Sequence, residues 1–215
     1  MRTGLRALSQ GNPCRSEAFI KMLRVLVACE FSGIVREAFR ARGHDAVSCD
    51  ILPSEVPGPH IQDDVFNHLY DGWDMMISFW PCTLLCNSGV RWLYKGGRGS
   101  ERWGNRWAAM EQSAARFYAL LTCGIPKVCA ENPRPHRYAR ALMGEYTQVI
   151  HPWQFGHGET KATCLWLRGL SPLVPTNIVS GREPRVHHES PGPNRWKNRS
   201  RTLPGIAQAM AEQWA

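Results

Sequence analysis

At 215 residues, with 43% hydrophobic and 20% charged side chains, the chain can bury a core of its own and is too apolar to be a solvated, disordered chain. No apolar run approaches the roughly 18 residues of a membrane span, and residues 1–21 lack the apolar stretch of a secretory leader, so a cytoplasmic protein, a monomer by preference and without a membrane partner, is expected. The net charge of +8 favours polyanionic partners, and eight scattered cysteines without a CxxC read as free thiols, with no disulfide framework and no metal site expected.

Residues 1–21 read as a loose leader with no assigned function. Pattern begins after Met22. Residues 23–29, LRVLVAC, form a short apolar run suited to a strand buried on both faces. EFSG follows, with Gly33 at the turn. IVREAFRARG places Ile34, Val35, Ala38 and Phe39 at helical spacing and stops at Gly43. A second strand, DAVSCDI, ends at Asp50. Strand, glycine turn, helix, strand and acid is the order of a dinucleotide-type βαβ unit.

The alternation continues. DMMISF (74–79) predicts another buried strand, and residues 108–124 predict a long amphipathic helix ending at Gly124. KVCAENP (127–133) predicts a strand ending in acid, amide and proline, and TCLWLRG (163–169) predicts one more. Strands alternating with helices imply an open, doubly wound α/β sheet with mostly parallel strands, in which ligands sit beyond the carboxyl ends. Residues just past successive strand ends are Glu30 to Gly33, Asp50, Pro81 with Cys82, and Glu131 with Asn132. They are expected to gather along one edge.

Cys82 admits three readings: a nucleophile, half of a metal or disulfide pair with Cys86, or a small core residue. Its place after Pro81 at a strand end favours the nucleophile, and Cys86 reads as packing. Two stretches are basic, residues 91–107 and residues 182–201. Arg-Trp pairs stand at 91–92, 102–103, 106–107 and 195–196. Interleaved cations and aromatics suit nucleic acid through phosphate contact and base stacking. Trp103 and Trp107, four residues apart, equally suit one apolar helix face. His187 and His188 read as solvated loop histidines.

WPC at 80–82 and AENP at 130–133, about fifty residues and one helix apart, follow the glycine turn and the acid of the second strand. In this order they resemble the cytosine-C5 DNA methyltransferases, in a short form of the kind typical of phages and prophages, acting in a bacterial host cell. The similarity runs from about Leu23 to Met210. The resemblance implies a Rossmann-like fold binding S-adenosylmethionine, with methyl transfer to C5 of cytosine in DNA. It assigns Cys82 to the thiol that adds to C6, Glu131 to the carboxyl group at N3 and the amino group, and Asn132 to support of that loop. Cys29, Glu30, Phe31, Ser32 and Gly33 correspond to the methionine side of the cofactor pocket. Asp50 with Ile51 corresponds to the ribose side, Asp64 with Val65 to the adenine side, and Pro81 also borders the pocket. PGIA at 204–207 resembles the segment that closes the cofactor site, and residues 95–99 resemble a loop that closes over DNA.

The chain also departs from the family pattern. Phe31 and Ile34 stand where glycines are usual. Glu-Asn-Pro replaces Glu-Asn-Val. The Gln-x-Arg-x-Arg segment corresponds to Glu159, Lys161 and Thr163, of which Lys161 alone keeps the cationic type. The expected division is a catalytic and cofactor-binding part at 22–169, a basic Pro/Gly-rich loop at 170–199 in place of a recognition region, and a C-terminal helix at 200–215. So short a loop can grip phosphates but read few base edges, which implies low or short sequence specificity. The alternatives are a cytosine nucleotide or single-stranded substrate, or a non-catalytic DNA-binding relic.

Overall fold

A computed structural model describes residues 21–97 and 99–215. The expected leader, apart from Lys21, and Arg98 lie outside them. Apolar runs without alternation produce the centre of the sheet. β1 (Arg24–Ala28), β4 (Met75–Ser78) and the inner part of β5 (Lys127–Pro133) are buried on both faces. β2 (Asp45–Asp50) and β3 (His60–Gln62) lie outside β1, and the order across the seven strands is β3-β2-β1-β4-β5-β7-β6. The first five strands run parallel. β7 (Thr163–Arg168) runs antiparallel between β5 and β6 (Gln148–Ile150). This is the doubly wound, mostly parallel Rossmann-like sheet that the alternation predicts.

Helices cover both faces. α1 (Ile34–Arg40) packs against the C-terminal helix Pro204–Trp214 on one face, and α2 (Gly104–Thr122) packs against α3 (Arg137–Met143) on the other. The C-terminal helix buries Ile206, Ala207, Met210, Ala211 and Trp214, a stripe at helical spacing. α2 begins four residues before its periodic stretch does, because Trp107 already faces the core. β3, β6 and α3 are too short to show a period in the sequence.

Residues 170–194 contain neither helix nor strand beyond single bridges at Asn177 and Glu183. The expectation of a loop through residue 199 is corrected by α4 (Arg195–Ser200), a short helix with no buried residue, so the C-terminal helix 204–214 is α5. The local propensity of RWKNRS is weak, and packing of Trp196 on Phe31, with the following Arg201 paired to Glu55, supports it instead.

Gly33 caps α1 with φ +74, and a Cβ there would come within 2.5 Å of Val56. That close approach brings the loop 52–59 over α1. The fully buried Arg36 guanidinium fills the space beneath it, bonding Ser48 and Ser54 Oγ, the carbonyls of Val56, Pro57 and Pro59, and the Glu37 carboxylate.

Candidate active site

The carboxyl ends of β1, β4 and β5 open into one cleft. Cys29 to Ser32 form one side of it. Pro81 and Cys82 form the second, Glu131 and Lys161 the floor, and residues 199–202 the remaining wall. A smaller hollow of about 320 Å³ adjoins it at Glu131 and Lys161 and runs to Ile206 and Met210 of α5. Sulfur, carboxylate, ammonium and the β1–α1 turn, which come from four distant stretches, therefore share one space.

Alternation along β5 explains how Glu131 reaches it. Cys129 and Glu131 point to the face covered by α5, and Ala130 and Asn132 to the face covered by α2 and α3. The Glu131 carboxyl is enclosed, and burial raises its pKa; the Lys161 cation opposes the shift. Asn132 is fully buried and works on the other face, where its amide donates to the Trp80 carbonyl at 2.9 Å. It lines no part of the cleft. Lys161 donates to the Arg199 carbonyl at 3.1 Å and so pins the far wall.

The Cys82 loop is zipped to the chain that follows Glu131. Asn87 donates to the Arg134 carbonyl, the His136 amide to the Leu85 carbonyl, and His136 Nε2 to the Leu84 carbonyl at 2.8 Å. His136 Nδ1 accepts from the Ala139 amide, which caps α3 and sets the Nε2–H tautomer. Sequence reasoning missed His136; its place at an N-cap behind a proline was the available signal. The loop itself is one tight turn. The Leu85 and Cys86 amides bond the Cys82 carbonyl, and a Cβ on Gly89 would lie 2.1 Å from the Thr83 carbonyl. Cys82 lies half-buried, and Cys86 beneath it is 7% exposed. Hydrogen bonding between the two sulfurs, and then burial, push Cys82 up, whereas the Cys82 and Ser88 donors bring Cys86 down to about 5.

The cofactor-side residues divide in two. Cys29 holds φ +58, an unusual backbone for a non-glycine residue, and so turns the chain out of β1 into the cleft. Glu30 is buried, and its carboxylate accepts from the Val35 and Arg36 amides and from Ser32 Oγ, so it caps α1. Phe31 packs against Trp196 of α4 with ring centroids 5.8 Å apart and planes tilted by 57°, and the Lys197 ammonium lies 5.6 Å from both rings. The remaining predicted residues lie outside the cleft lining. Gly33 shapes the α1 start, Ile51 is exposed at 73%, and Val65 is buried in the sheet core. Asp50 accepts from the Leu52 amide, and burial raises its pKa. Asp64 pairs with Arg116, whose guanidinium lies 4.1 Å from the Phe66 ring and 5.4 Å from Trp80. Both acids, with burial as the larger cause, raise the Cys29 pKa.

The basic stretch 91–107 carries Trp92 at 50% and Trp103 at 41% exposure, each beside a guanidinium, Arg91 and Arg106 respectively. Trp107 is buried, packed edge-on to Tyr94 and Tyr138. The reading of one shared apolar helix face therefore holds for Trp107 and not for Trp103, which is exposed. Among the described residues no group of His, Cys, Asp and Glu is arranged to hold a metal, and no helix is long and apolar enough to cross a membrane.

No protein-family profile matches the chain, and no curated protein matches it. Among solved structures it is similar to a protein described as a DNA modification methyltransferase encoded within a prophage (E. coli), with a TM-score of 0.47 at 15% identity over 73% of this chain. It is also similar to a methyltransferase of Entamoeba histolytica, with a TM-score of 0.44 at 11% identity over 80% of this chain. The chain spans 52% and 61% of the length of these two proteins.

Proposed function

We propose that the protein transfers a methyl group from S-adenosylmethionine to C5 of cytosine in DNA, with Cys82 as nucleophile. One observation carries the reading: Cys82 and Glu131 line one cleft beside the Cys29–Ser32 turn, at the carboxyl ends of parallel strands. Residues 22–169 supply the chemistry, 170–199 replace a recognition region, and the C-terminal helix returns to close the site.

C5 of cytosine is a weak nucleophile. Bonding of the Cys82 sulfur to C6 pushes the ring electrons toward C5 and N3, which is covalent catalysis. Glu131, whose pKa burial raises, donates to N3 in its protonated form and neutralises the charge that addition creates. S-adenosylmethionine supplies the electrophilic methyl group. Loss of the C5 proton and expulsion of the Cys82 sulfur restore the ring. A base in a duplex must first leave the stack, and exposed Trp92 and Trp103 with their arginines suit contact with the strand.

The residues suit such a cofactor. Phe31 and Trp80 give the cleft apolar walls, and Asp50 at the end of β2 offers an acceptor for hydroxyl groups. Asp64 is less free, since Arg116 and the Phe66 amide engage both of its oxygens. The decisive experiment incubates the full chain with S-adenosylmethionine and duplex DNA containing 5-fluorocytosine, whose C5 cannot release a proton. A covalent complex at Cys82, found by peptide mass spectrometry, is expected. No complex, or undiminished methyl transfer by Cys82→Ala, would sink the mechanism. The exposed Trp-Arg pairs favour a second reading, a single-stranded substrate. Comparing duplex DNA, single-stranded DNA and dCMP separates the two.

A further inference from the structure

We propose that Arg134 and Arg182 form a phosphate-binding edge on the β6 side of the cleft, which holds the DNA backbone beside the nucleotide that enters. The inference rests on the proposed action on DNA, and it adds a surface separate from the Trp-Arg pairs of residues 91–107.

Strand register brings Arg134 to the site. Pro133, Thr163 and Ile150 stand abreast across β5, β7 and β6. Pro133 lines the cleft, and Ile150 lines the adjoining hollow. Arg134 and His151 come next along the chain, so both leave the sheet at the edge where the cleft opens. A proline on each side stiffens Arg134, and its carbonyl accepts from the Asn87 amide of the Cys82 loop at 3.0 Å. Its side chain is exposed and, among the described residues, makes no ion pair or hydrogen bond. Arg182 arrives on a loop bonded along residues 153–158. The Val179 amide donates to the Trp153 carbonyl at 3.0 Å, Asn177 to Gln154 at 3.1 Å, and Glu183 to Gly158 at 3.1 Å. A Cβ on Gly181 would lie 2.8 Å from the Gly158 Cα, so glycine is needed where the two segments touch. The Arg182 guanidinium thereby lies 3.9 Å from the centre of the Trp153 ring. His151 stacks on the same ring, with centroids 6.0 Å apart and planes 21° apart.

Arg182 divides its donors between structure and ligand. Nη1 donates to the carbonyls of Val179 and Gly181 and fixes the turn. Nε and Nη2 make no bond among the described residues. They form one edge of a planar fork, which matches two oxygens of a phosphate. The Trp153 ring holds that fork in place before any ligand arrives, which lowers the ordering cost of binding. Neighbouring acids do not compete for it, because Arg185 holds Glu183 at 3.0 Å and Glu159 at 3.2 Å. Lys161, on the same edge, is engaged by the Arg199 carbonyl. The field of both arginines reaches His151, whose pKa burial, Arg134 and Arg182 lower in that order. Fixed cations of this kind grip backbone oxygens and read no base edge, so the edge positions DNA without adding sequence specificity.

The test is equilibrium binding of fluorescently labelled DNA to the full chain, read by anisotropy over a salt series of about 50–200 mM and without cofactor. Arg134→Ala and Arg182→Ala are each expected to weaken binding about fivefold and to reduce the slope of log K against log salt by about one. Arg182→Lys keeps the charge without the fork and is expected to lose about threefold. Arg42→Ala removes an equal charge where α1 leads into the amino end of β2, on the opposite edge of the sheet, and is expected to match the parent within about twofold. The Arg134 side chain bonds nothing among the described residues, so its loss reads the ligand and not the fold. An unchanged slope in either alanine variant, or an equal loss in Arg42→Ala, overturns the proposal, and so does a loss confined to RNA of the same sequence. Trapping on 5-fluorocytosine DNA, run in parallel, separates this proposal from the methyltransferase reading. DNA binding that falls in both alanine variants, with no trapping by the parent chain, leaves the phosphate edge standing and removes methyl transfer. Trapping by the parent chain with binding unchanged in both variants does the reverse.

Discussion

On the β1–α1 side of the cleft nearly every polar side chain is already engaged. Glu30 caps α1, Arg36 fills the underside of the loop 52–59, and Asp64 holds Arg116. On the β4–β5 side, the backbone and the buried amide of Asn132 do the holding. The side chains of Cys82 and Glu131 face open space, and among the described residues the Glu131 carboxyl makes no hydrogen bond or ion pair. Polar groups with partners make a scaffold, and enclosed polar groups without them retain reactivity. On the proposed function, the difference separates variants that lose rate from variants that lose stability.

Four changes break or sharpen that contrast. Cys82→Ala is expected to reduce methyl transfer by at least about a thousandfold, with an unchanged urea-unfolding midpoint, because it removes the proposed nucleophile and leaves the backbone bonds of the loop in place. Glu131→Gln is expected to lower kcat/KM by about a hundredfold or more. Donation at N3 needs the protonated acid, so kcat/KM should fall as pH rises through the elevated pKa of Glu131, and the glutamine variant should lose that limb. A parallel fall in both proteins would remove Glu131 as the donor. On the engaged side, Arg36→Met should cost about 3 kcal/mol or more in urea unfolding, since it strands several buried acceptors. A chain as stable as the parent would show that water replaces the guanidinium. The smallest effect is expected for Trp103→Ala. DNA affinity should fall about tenfold at fixed salt, with stability within about 0.5 kcal/mol of the parent. Unchanged affinity would move the nucleic-acid surface away from α2.

The central strands, the first helix and the long helix were legible because each carries a period or an unbroken apolar run. The same runs located Cys82 and Glu131 at strand ends, and the rule that ligands bind beyond carboxyl ends predicted their meeting. Val65 and Ile51 show the limit of carrying roles along a motif. Neighbours in sequence of plausible site acids, they point into the core and into solvent. Trp103 and Trp107 shared one pattern and took opposite environments, because spacing identifies a helix face but not what covers it.

The order of strands, glycine turn, cysteine and acid is a property of the chain itself, since local periodicity and backbone preference are written residue by residue. Whether Glu131 meets Cys82, whether His136 has a free nitrogen, and which wall α4 builds depend on contacts between segments distant in sequence. Long-range hydrogen bonds and close backbone approaches decide those, and they exist only once the sheet has brought β4, β5 and residues 195–202 together.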